Sequence, residues 1–100
     1  MHYLLMYDVI PDYATRRLPF RQAHFAYAAP YVERGELQLG GALANPVDGA
    51  ILLVQASGPE VVEQFAREDP YVLAGLVREW QVREWTTVVG PGAAVKVTFT

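Results

Sequence analysis

The sequence predicts an α+β domain in which a four-stranded antiparallel sheet carries two helices on one face. Three observations support this fold class. The 100 residues suit a single domain. Apolar runs typical of strands and apolar spacings typical of helices follow one another in the order β-α-β-β-α-β. The two middle strands are separated by a short turn, which predicts that they pair as a hairpin.

The first strand and the first helix are predicted at the N-terminal end. Residues 2–9 form a nearly continuous apolar run, which is typical of a strand covered on both faces. Residues 13–17 are predicted to form a loop. The helix is predicted over residues 18–34 and ends at Gly35. Pro30 removes one backbone hydrogen bond inside this helix, so a bend or a restart is expected there. The residues that share one helix face are Phe20, Ala23, His24, Tyr27 and Tyr31.

The hairpin is predicted from residues 36–43 and residues 50–56, which are joined by the turn-forming residues 45–49. Gly40 and Gly41 have no side chains, which predicts a bulge or a place where something else approaches the backbone. Strict alternation would place four residues of the first strand on one face: Leu37, Leu39, Gly41 and Leu43.

The second helix is predicted to begin with a capping box, in which Ser57 is followed three residues later by Glu60. A proline in the first turn supports the same start, because its missing N–H costs nothing there. The amphipathic pattern that follows continues to Glu68.

The dipeptide Asp69-Pro70 is predicted to separate this helix from one further helical turn. Proline pushes the residue before it out of the helical region, so Asp69 lies beyond the helix and can cap the next turn. That turn covers residues 71–74, and Gly75 ends it.

The last strand is predicted over residues 76–89. A helix is the alternative, since the apolar residues also fit a helical period, but the β-branched residues 86–89 favour a strand. The resulting order is the split βαβ, or ferredoxin-like, pattern. The domain is predicted to span residues 1–89. The tail, residues 90–100, is expected to contain a small extra strand or a swapped segment over residues 95–99.

Composition limits the expected partners. Hydrophobic residues make up 52% of the chain and charged residues 19%, so a homodimer with two sheets face to face is expected to bury the apolar excess. The net charge of −3 and the lack of a basic cluster argue against nucleic acid. Because no signal peptide or membrane span is recognisable, a cytoplasmic location is expected. Cysteine is absent, and no metal-ligand cluster, phosphate loop or serine nucleophile motif is recognisable.

His24 and Asp69 are the candidate catalytic residues. A histidine that moves a proton works best with a carboxylate that fixes its tautomer, and the predicted topology places the first helix beside the end of the second. The plainer interpretation is structural, because a lone histidine on a helix face is most often a surface or satisfied core residue. Asp69 is likewise explained as a helix cap. The residue pattern leaves both interpretations open.

Polar and aromatic side chains near this pair are the candidate substrate-binding residues. Arg21 lies one turn before His24 and could anchor a carboxylate through two hydrogen bonds, although a solvated helix charge is the commoner role. Asp8 lies at the end of a strand. It could be a second carboxylate of the pocket, or it could cap the loop that follows. The set is completed by tyrosines that line a pocket or fill the core, and by a glycine with an accessible backbone: Tyr7, Tyr27, Tyr71 and Gly41.

Taken together, these residues resemble the YciI-like (YCII-related) family over residues 1–85. The tail from Gly90 lies outside the pattern, and Pro30 is unusual in the first helix. The pieces that carry the resemblance are Tyr3-Leu4-Leu5 with Asp8, Arg21-x-x-His24 with Tyr27, Gly35, Gly40-Gly41-Ala42-Leu43, and Asp69-Pro70-Tyr71 with Ala74-Gly75-Leu76.

The resemblance implies a dimeric α+β barrel of ferredoxin-like protomers, with a pocket in which His24 and Asp69 are the functional pair. Some relatives are chloromuconolactone dehalogenases, which remove HCl from a small lactone acid. By analogy, the expected activity is cofactor-free elimination or isomerisation of a small carboxylate or lactone. His24 would be the base, Asp69 would orient it, and Arg21 would anchor the substrate carboxylate.

Two other functions remain open at this point. A small-molecule-binding or accessory module without turnover would use the same histidine and aspartate as a structural hydrogen bond between helices. A dimeric scaffold without a ligand would have no pocket beside them.

Overall fold

The computed structural model describes residues 1–95 and confirms the predicted fold class, a ferredoxin-like α+β domain with one four-stranded antiparallel sheet. The strands are β1 (His2–Val9), β2 (Leu37–Ala42), β3 (Gly49–Gln55) and β4 (Val77–Trp85). The helices are α1 (Tyr13–Arg16), α2 (Arg21–Glu33), α3 (Glu60–Glu68) and α4 (Pro70–Leu73). The sheet order is β2-β3-β1-β4, which places the first strand at its centre.

The hydrophobic core lies between the sheet and the helices. Side chains alternate between the two faces of a strand, so every second residue of β1 and of its partner β3 points towards the helices. Full burial of each large apolar side chain contributes about 1.5–3 kcal/mol. The main core residues on β1, β3 and α3 are Tyr3, Leu5, Tyr7, Leu52, Val54, Val62, Phe65 and Ala66.

The opposite face of the sheet is apolar on three strands and polar on the fourth. Leu4 and Leu53 lie opposite each other there, as do Met6 and Ile51. Leu39 on β2 extends this surface and is 71% exposed. The residues of β4 that share this face are mostly polar: Glu79, Gln81, Arg83 and Trp85. The predicted apolar surface is therefore confined to β1, β2 and β3.

The expected alternation along β2 is wrong because the strand contains a bulge. Leu37 pairs with Val54 and Leu39 with Leu53, which leaves Gln38 as an extra residue. Leu37 is consequently buried on the helix side, whereas Leu39 lies on the other face. The bulge therefore occurs before the two glycines and not at them.

One prediction about the N-terminal helices is wrong. Residues predicted to be a loop form α1, and a single 3-10 turn, Leu18–Phe20, precedes α2. Helix α2 continues through Pro30 without a restart. The Pro30 carbonyl accepts the backbone N–H of Arg34 at 3.1 Å, so the helical hydrogen bonds continue one turn after the proline. Gly35 ends the helix as predicted, with a φ of +78° that suits glycine.

The start of α3 also differs from the prediction, whereas the start of α4 agrees with it. Pro59 is the N-cap of α3 and no side chain caps it, so the capping box from Ser57 does not form. Asp69 is the N-cap of α4, with Pro70 as the first helical residue. Gly75 follows this turn with a φ of +78°.

The last strand is shorter than predicted and ends at Trp85, although it is a strand and not the alternative helix. Residues 86–89, whose β-branched side chains favoured the strand, lie beyond it. Thr87 instead contacts His2, with Oγ1 and Nδ1 2.6 Å apart, and its backbone carbonyl accepts the N–H of Val95. The strand predicted over residues 95–99 lies almost entirely outside the described residues, and the domain boundary at residue 89 stays a prediction.

Candidate active site

Helix α2 and the junction between α3 and α4 bring His24 and Asp69 together. Nδ1 of His24 lies 2.7 Å from Oδ1 of Asp69. The histidine side chain is 15% exposed and the aspartate side chain is completely buried. The contact arises because Pro70 forces Asp69 into an extended conformation, with a ψ of 126°, at the position where α3 ends beside α2.

The buried carboxylate of Asp69 accepts hydrogen bonds from two further groups. The hydroxyl of Tyr7 donates to Oδ2 at 2.7 Å, and the backbone N–H of Tyr71 donates to Oδ1 at 2.9 Å. A buried charge is tolerated when it is paired and hydrogen-bonded. With these donors on a carboxylate, we infer that Nδ1 of His24 carries its proton towards Asp69. The second ring nitrogen, Nε2, is then free to accept a proton.

The ring of Tyr71 holds the imidazole of His24 in a fixed plane. The two rings are stacked, with centroids 3.9 Å apart and an angle of 6° between their planes. Tyr13 packs edge-on against Tyr71, and the centroids of these two rings are 5.8 Å apart. The histidine is therefore fixed by a hydrogen bond at one nitrogen and by an aromatic face.

Burial keeps the tyrosines around Asp69 protonated. Burial, and then the charge of Asp69, raise the pKa of the Tyr7 hydroxyl far above its ordinary value of 10.0. The pKa of Tyr71 is also raised by burial, although the positive charges of Arg17 and Arg21 oppose that shift. Tyr7 is thus a permanent hydrogen-bond donor to the carboxylate at neutral pH.

The His24 ring lines a cavity of about 590 Å³ between α2 and the edge of the sheet formed by β2 and β3. This volume is within the range of roughly 300–1,000 Å³ that is typical of small-molecule sites. Much of the wall is apolar and comes from side chains of α2, β2 and β3, among them Phe25, Ala28, Leu37, Ala50 and Leu52.

The predicted binding residues are only partly brought together at this cavity. Tyr7, Tyr71, Arg21 and Gly41 line it with His24. Gly41 contributes only backbone to the cavity. Its side-chain position lies on the same face of the sheet as Ile51, away from the helices.

Asp8 is not among the residues that line this cavity, so the structure does not bring it together with His24. Neighbouring residues of a strand point to opposite faces, and Tyr7 already occupies the helix face of β1. Asp8 instead forms an ion pair with Arg78, with Oδ1 and Nη2 2.9 Å apart at a half-exposed position. Tyr27 is also outside the cavity lining, because its hydroxyl donates to the backbone carbonyl of Phe65 at 3.0 Å.

Sequence reasoning missed four polar residues of the cavity. Glu33 comes from the end of α2 and Gln38 from β2, and the remaining two are Tyr13 and Arg17. Both come from the segment predicted to be a loop, so nothing placed them beside His24. The guanidinium carbon of Arg17 lies 5.3 Å from the centroid of the Tyr13 ring. The available signal for a helical turn was the sequence of residues 12–17, Asp-Tyr-x-x-Arg-Arg, which contains no glycine and lies just before the long helix.

Residues 1–95 contain no group of three or more histidine, aspartate or glutamate side chains that could hold a metal ion. Across the same residues, no helix has the length and apolar character that crossing a bilayer requires.

The comparisons with known proteins agree with this fold. The family model described as YCII-related domain matches residues 1–86. The chain therefore belongs to the YCII-related domain family. No curated protein matches it.

A similar solved structure is that of 5-chloro-2-hydroxyhydroquinone dehydrochlorinase (TftG) from Burkholderia phenoliruptrix AC1100, in complex with 2,5-dihydroxybenzoquinone. The sequences are 25% identical, and the TM-score is 0.74. The match covers 88% of this chain and 96% of the dehydrochlorinase chain. The fold is accordingly that of a dimeric α+β barrel protein.

Proposed function

We propose that this protein is a cofactor-free enzyme that removes HCl from, or isomerises, a small cyclic acid, lactone or hydroxylated ring by proton transfer. The observation that supports the proposal is the imidazole of His24, which is held by the buried carboxylate of Asp69 at the wall of a largely apolar cavity. The similar dehydrochlorinase acts on a chlorinated, hydroxylated ring, which favours elimination over other proton-transfer chemistry.

In the proposed elimination from a lactone, Nε2 of His24 takes a proton from a carbon next to a carbonyl group. The electron pair of the broken C–H bond forms a C=C bond to the neighbouring carbon, and the C–Cl bond of that carbon breaks to release chloride. A chlorinated hydroquinone reacts from its keto tautomer, in which one ring carbon holds both hydrogen and chlorine. There Nε2 takes the proton of a ring hydroxyl, the O–H electron pair forms a C=O bond, the ring double bond shifts onto the chlorinated carbon, and the C–Cl bond breaks. Asp69 stabilises the imidazolium that results and keeps Nδ1 protonated throughout. In the isomerisation, the same nitrogen would return the proton to a different carbon, and no group would leave.

The apolar walls of the cavity would support this chemistry. Low local polarity strengthens the attraction between the imidazolium and the Asp69 carboxylate. The Tyr7 hydroxyl stabilises that carboxylate through a hydrogen bond, so the aspartate can remain charged while completely buried. We propose that Arg21, which also lines the cavity, attracts an acidic substrate.

Chloride release is the test. The full chain would be incubated with 5-chloro-2-hydroxyhydroquinone and, separately, with 5-chloromuconolactone, and free chloride would be measured by ion chromatography. We expect chloride release by the wild type and a loss of about 100-fold or more in His24→Gln. The matched control is His2→Gln, which removes the other histidine and is expected to keep full turnover.

Binding of these compounds without chloride release would contradict the proposal. It would favour the second function, a small-molecule-binding or accessory module in which the pair of His24 and Asp69 is a structural hydrogen bond.

We also propose that the protein acts as a homodimer in the cytoplasm. The apolar side chains on the open face of the sheet support the dimer, since a monomer would leave the half-buried Leu4 and Met6 of β1 and the exposed Leu39 and Ile51 in water.

A further inference from the structure

Arg17 carries a buried hydrogen-bond donor without a partner. Its Nε atom is shielded from solvent, and none of the described residues accepts a hydrogen bond from it. Buried donors in proteins are nearly always paired, because an unpaired one forfeits its hydration without compensation. Nε itself is out of reach of a ligand, but Arg17 lines the cavity, so its guanidinium group is the part of the side chain that a bound ligand can contact.

The charge of Arg17 is also uncompensated within the described part of the chain. The ion pairs there involve His24, Arg34, Arg67 and Arg78, and neither Arg17 nor Arg21 takes part in one. Glu33 also lines the cavity but forms no ion pair with Arg17, so this cation at a largely apolar wall attracts an anionic ligand.

Arg17 is better placed than Arg21 to bind that anion. The Arg21 side chain is exposed, and its guanidinium lies over the ring of Phe25 at 5.2 Å, whereas Arg17 is half-buried against Tyr13. Partial burial reduces screening by water and removes side-chain freedom before binding. The contacts from Arg17 to Tyr13, from Tyr13 to Tyr71 and from Tyr71 to His24 form one continuous wall.

We propose that Arg17 is the binding residue for an ionised oxygen of the substrate, and that the substrates are small planar organic anions that lie along the wall between Arg17 and His24. The ionised oxygen is a carboxylate or an acidic ring hydroxyl, which accepts hydrogen bonds from the Arg17 guanidinium group. This inference rests on the proposed function. It transfers the main anchoring role from Arg21 to Arg17.

The test uses 2,5-dihydroxybenzoquinone, a planar ring whose acidic hydroxyls change its visible absorbance when they ionise. Affinity would be measured by absorbance titration for the wild type, Arg17→Gln and Arg21→Gln. We expect about 10- to 100-fold weaker binding in Arg17→Gln, which is the usual effect of losing a charge-assisted hydrogen bond, and at most a few-fold loss in Arg21→Gln. Arg16→Gln is the matched control, since it removes the neighbouring exposed charge without touching the cavity and is expected to bind normally.

The charge state of the bound probe gives a second readout that a structural role would not change. In the wild type, ionisation of the bound probe should move to lower pH than for the free probe, and this shift should disappear in Arg17→Gln. Arg17→Lys, which keeps the charge but lacks the planar guanidinium group, should fall between the two. A thermal melt of each variant separates weaker binding from loss of the fold.

Three results would overturn the inference: unchanged affinity in Arg17→Gln, an equal or larger loss in Arg21→Gln, or no binding to the wild type. None of the variants in this test alters His24. Normal chloride release, together with unchanged affinity in Arg17→Gln, would therefore reject the inference and keep the proposed function. Tight binding that depends on Arg17, without chloride release, would keep the inference and reject the proposed function.

Discussion

The backbone N–H of Tyr71 donates a hydrogen bond to Oδ1 of Asp69 at 2.9 Å, and the same oxygen lies 2.7 Å from Nδ1 of His24. The residue that caps helix α4 is thus also the residue that holds the histidine. The two interpretations of Asp69 that the sequence left open are therefore not exclusive. A helix cap fixes the backbone position of Asp69, and this position is what makes it a precise partner for an imidazole.

Substitutions of Asp69 should separate its capping role from its role towards His24. Asp69→Asn keeps an oxygen for the Tyr71 N–H but loses the charge, so turnover should fall about 100-fold or more. The free energy of unfolding should fall by about 1–3 kcal/mol. Asp69→Ala should lose a further ~1 kcal/mol, because the cap is removed as well. Urea unfolding followed by tryptophan fluorescence and the chloride assay measure the two effects. Wild-type turnover in Asp69→Asn would contradict the account.

The raised pKa of Tyr7 makes the folded protein sensitive to alkaline pH. In the unfolded chain this tyrosine loses its proton near its ordinary pKa of 10.0, whereas the folded protein retains it. The unfolded state then binds fewer protons, so stability should be complete below that pH and should decrease as pH rises above it. Urea midpoints measured from about pH 8 to about pH 11 should show this decline, and Tyr7→Phe should show a shallower one. An unchanged slope in Tyr7→Phe would contradict the prediction.

The order of the elements could be predicted from the sequence because strands and helices have different apolar periods. The helix stop at Asp69 and Pro70 was also predictable, since proline acts on its neighbour locally. The bulge in β2 could not be predicted from the sequence, because it depends on which residues of β3 lie opposite Leu37 and Leu39. Strict alternation then placed Leu39 on the wrong face.

For the candidate site, the contact between His24 and Asp69 followed from topology, but the roles of Asp8 and Arg17 did not. The choice between the two faces of β1 decided the position of Asp8. Arg17 was hidden because a four-residue helix has no periodic pattern of its own, and a helix that short depends on tertiary packing.

Valine substitutions at Gly40 and Gly41 should distinguish the cavity side of β2 from its outer side. A Cβ at Gly40 would lie 3.4 Å from Cγ of Leu52, a residue of the cavity wall, whereas a Cβ at Gly41 would meet nothing within 4 Å. Gly40→Val should therefore narrow the cavity and weaken binding of 2,5-dihydroxybenzoquinone about 10-fold or more, while Gly41→Val should bind normally. The reverse order of effects would show that the register of β2 is wrong.

The homodimer can be tested with two leucines of equal exposure. Leu39 on the open face of the sheet and Leu73 on α4 are each 71% exposed. Light scattering of the wild type at micromolar concentration should give the mass of two 11.1 kDa chains. Leu39→Lys should give the mass of one chain, because it places a charge in the apolar interface, and Leu73→Lys should remain dimeric. A monomeric wild type would contradict the proposal.

The central claim is that Asp69 holds His24 with the proton on Nδ1, so that Nε2 is a free base at the cavity. ¹⁵N NMR of the full chain at slightly alkaline pH measures this directly, because the two ring nitrogens of a neutral histidine have different shifts, and the His24→Gln spectrum identifies the signals. The account predicts the Nδ1–H tautomer for His24 in the wild type and a mixture of tautomers in Asp69→Asn. An Nε2–H tautomer in the wild type would contradict it, because His24 would then have no lone pair available to accept a proton from a substrate.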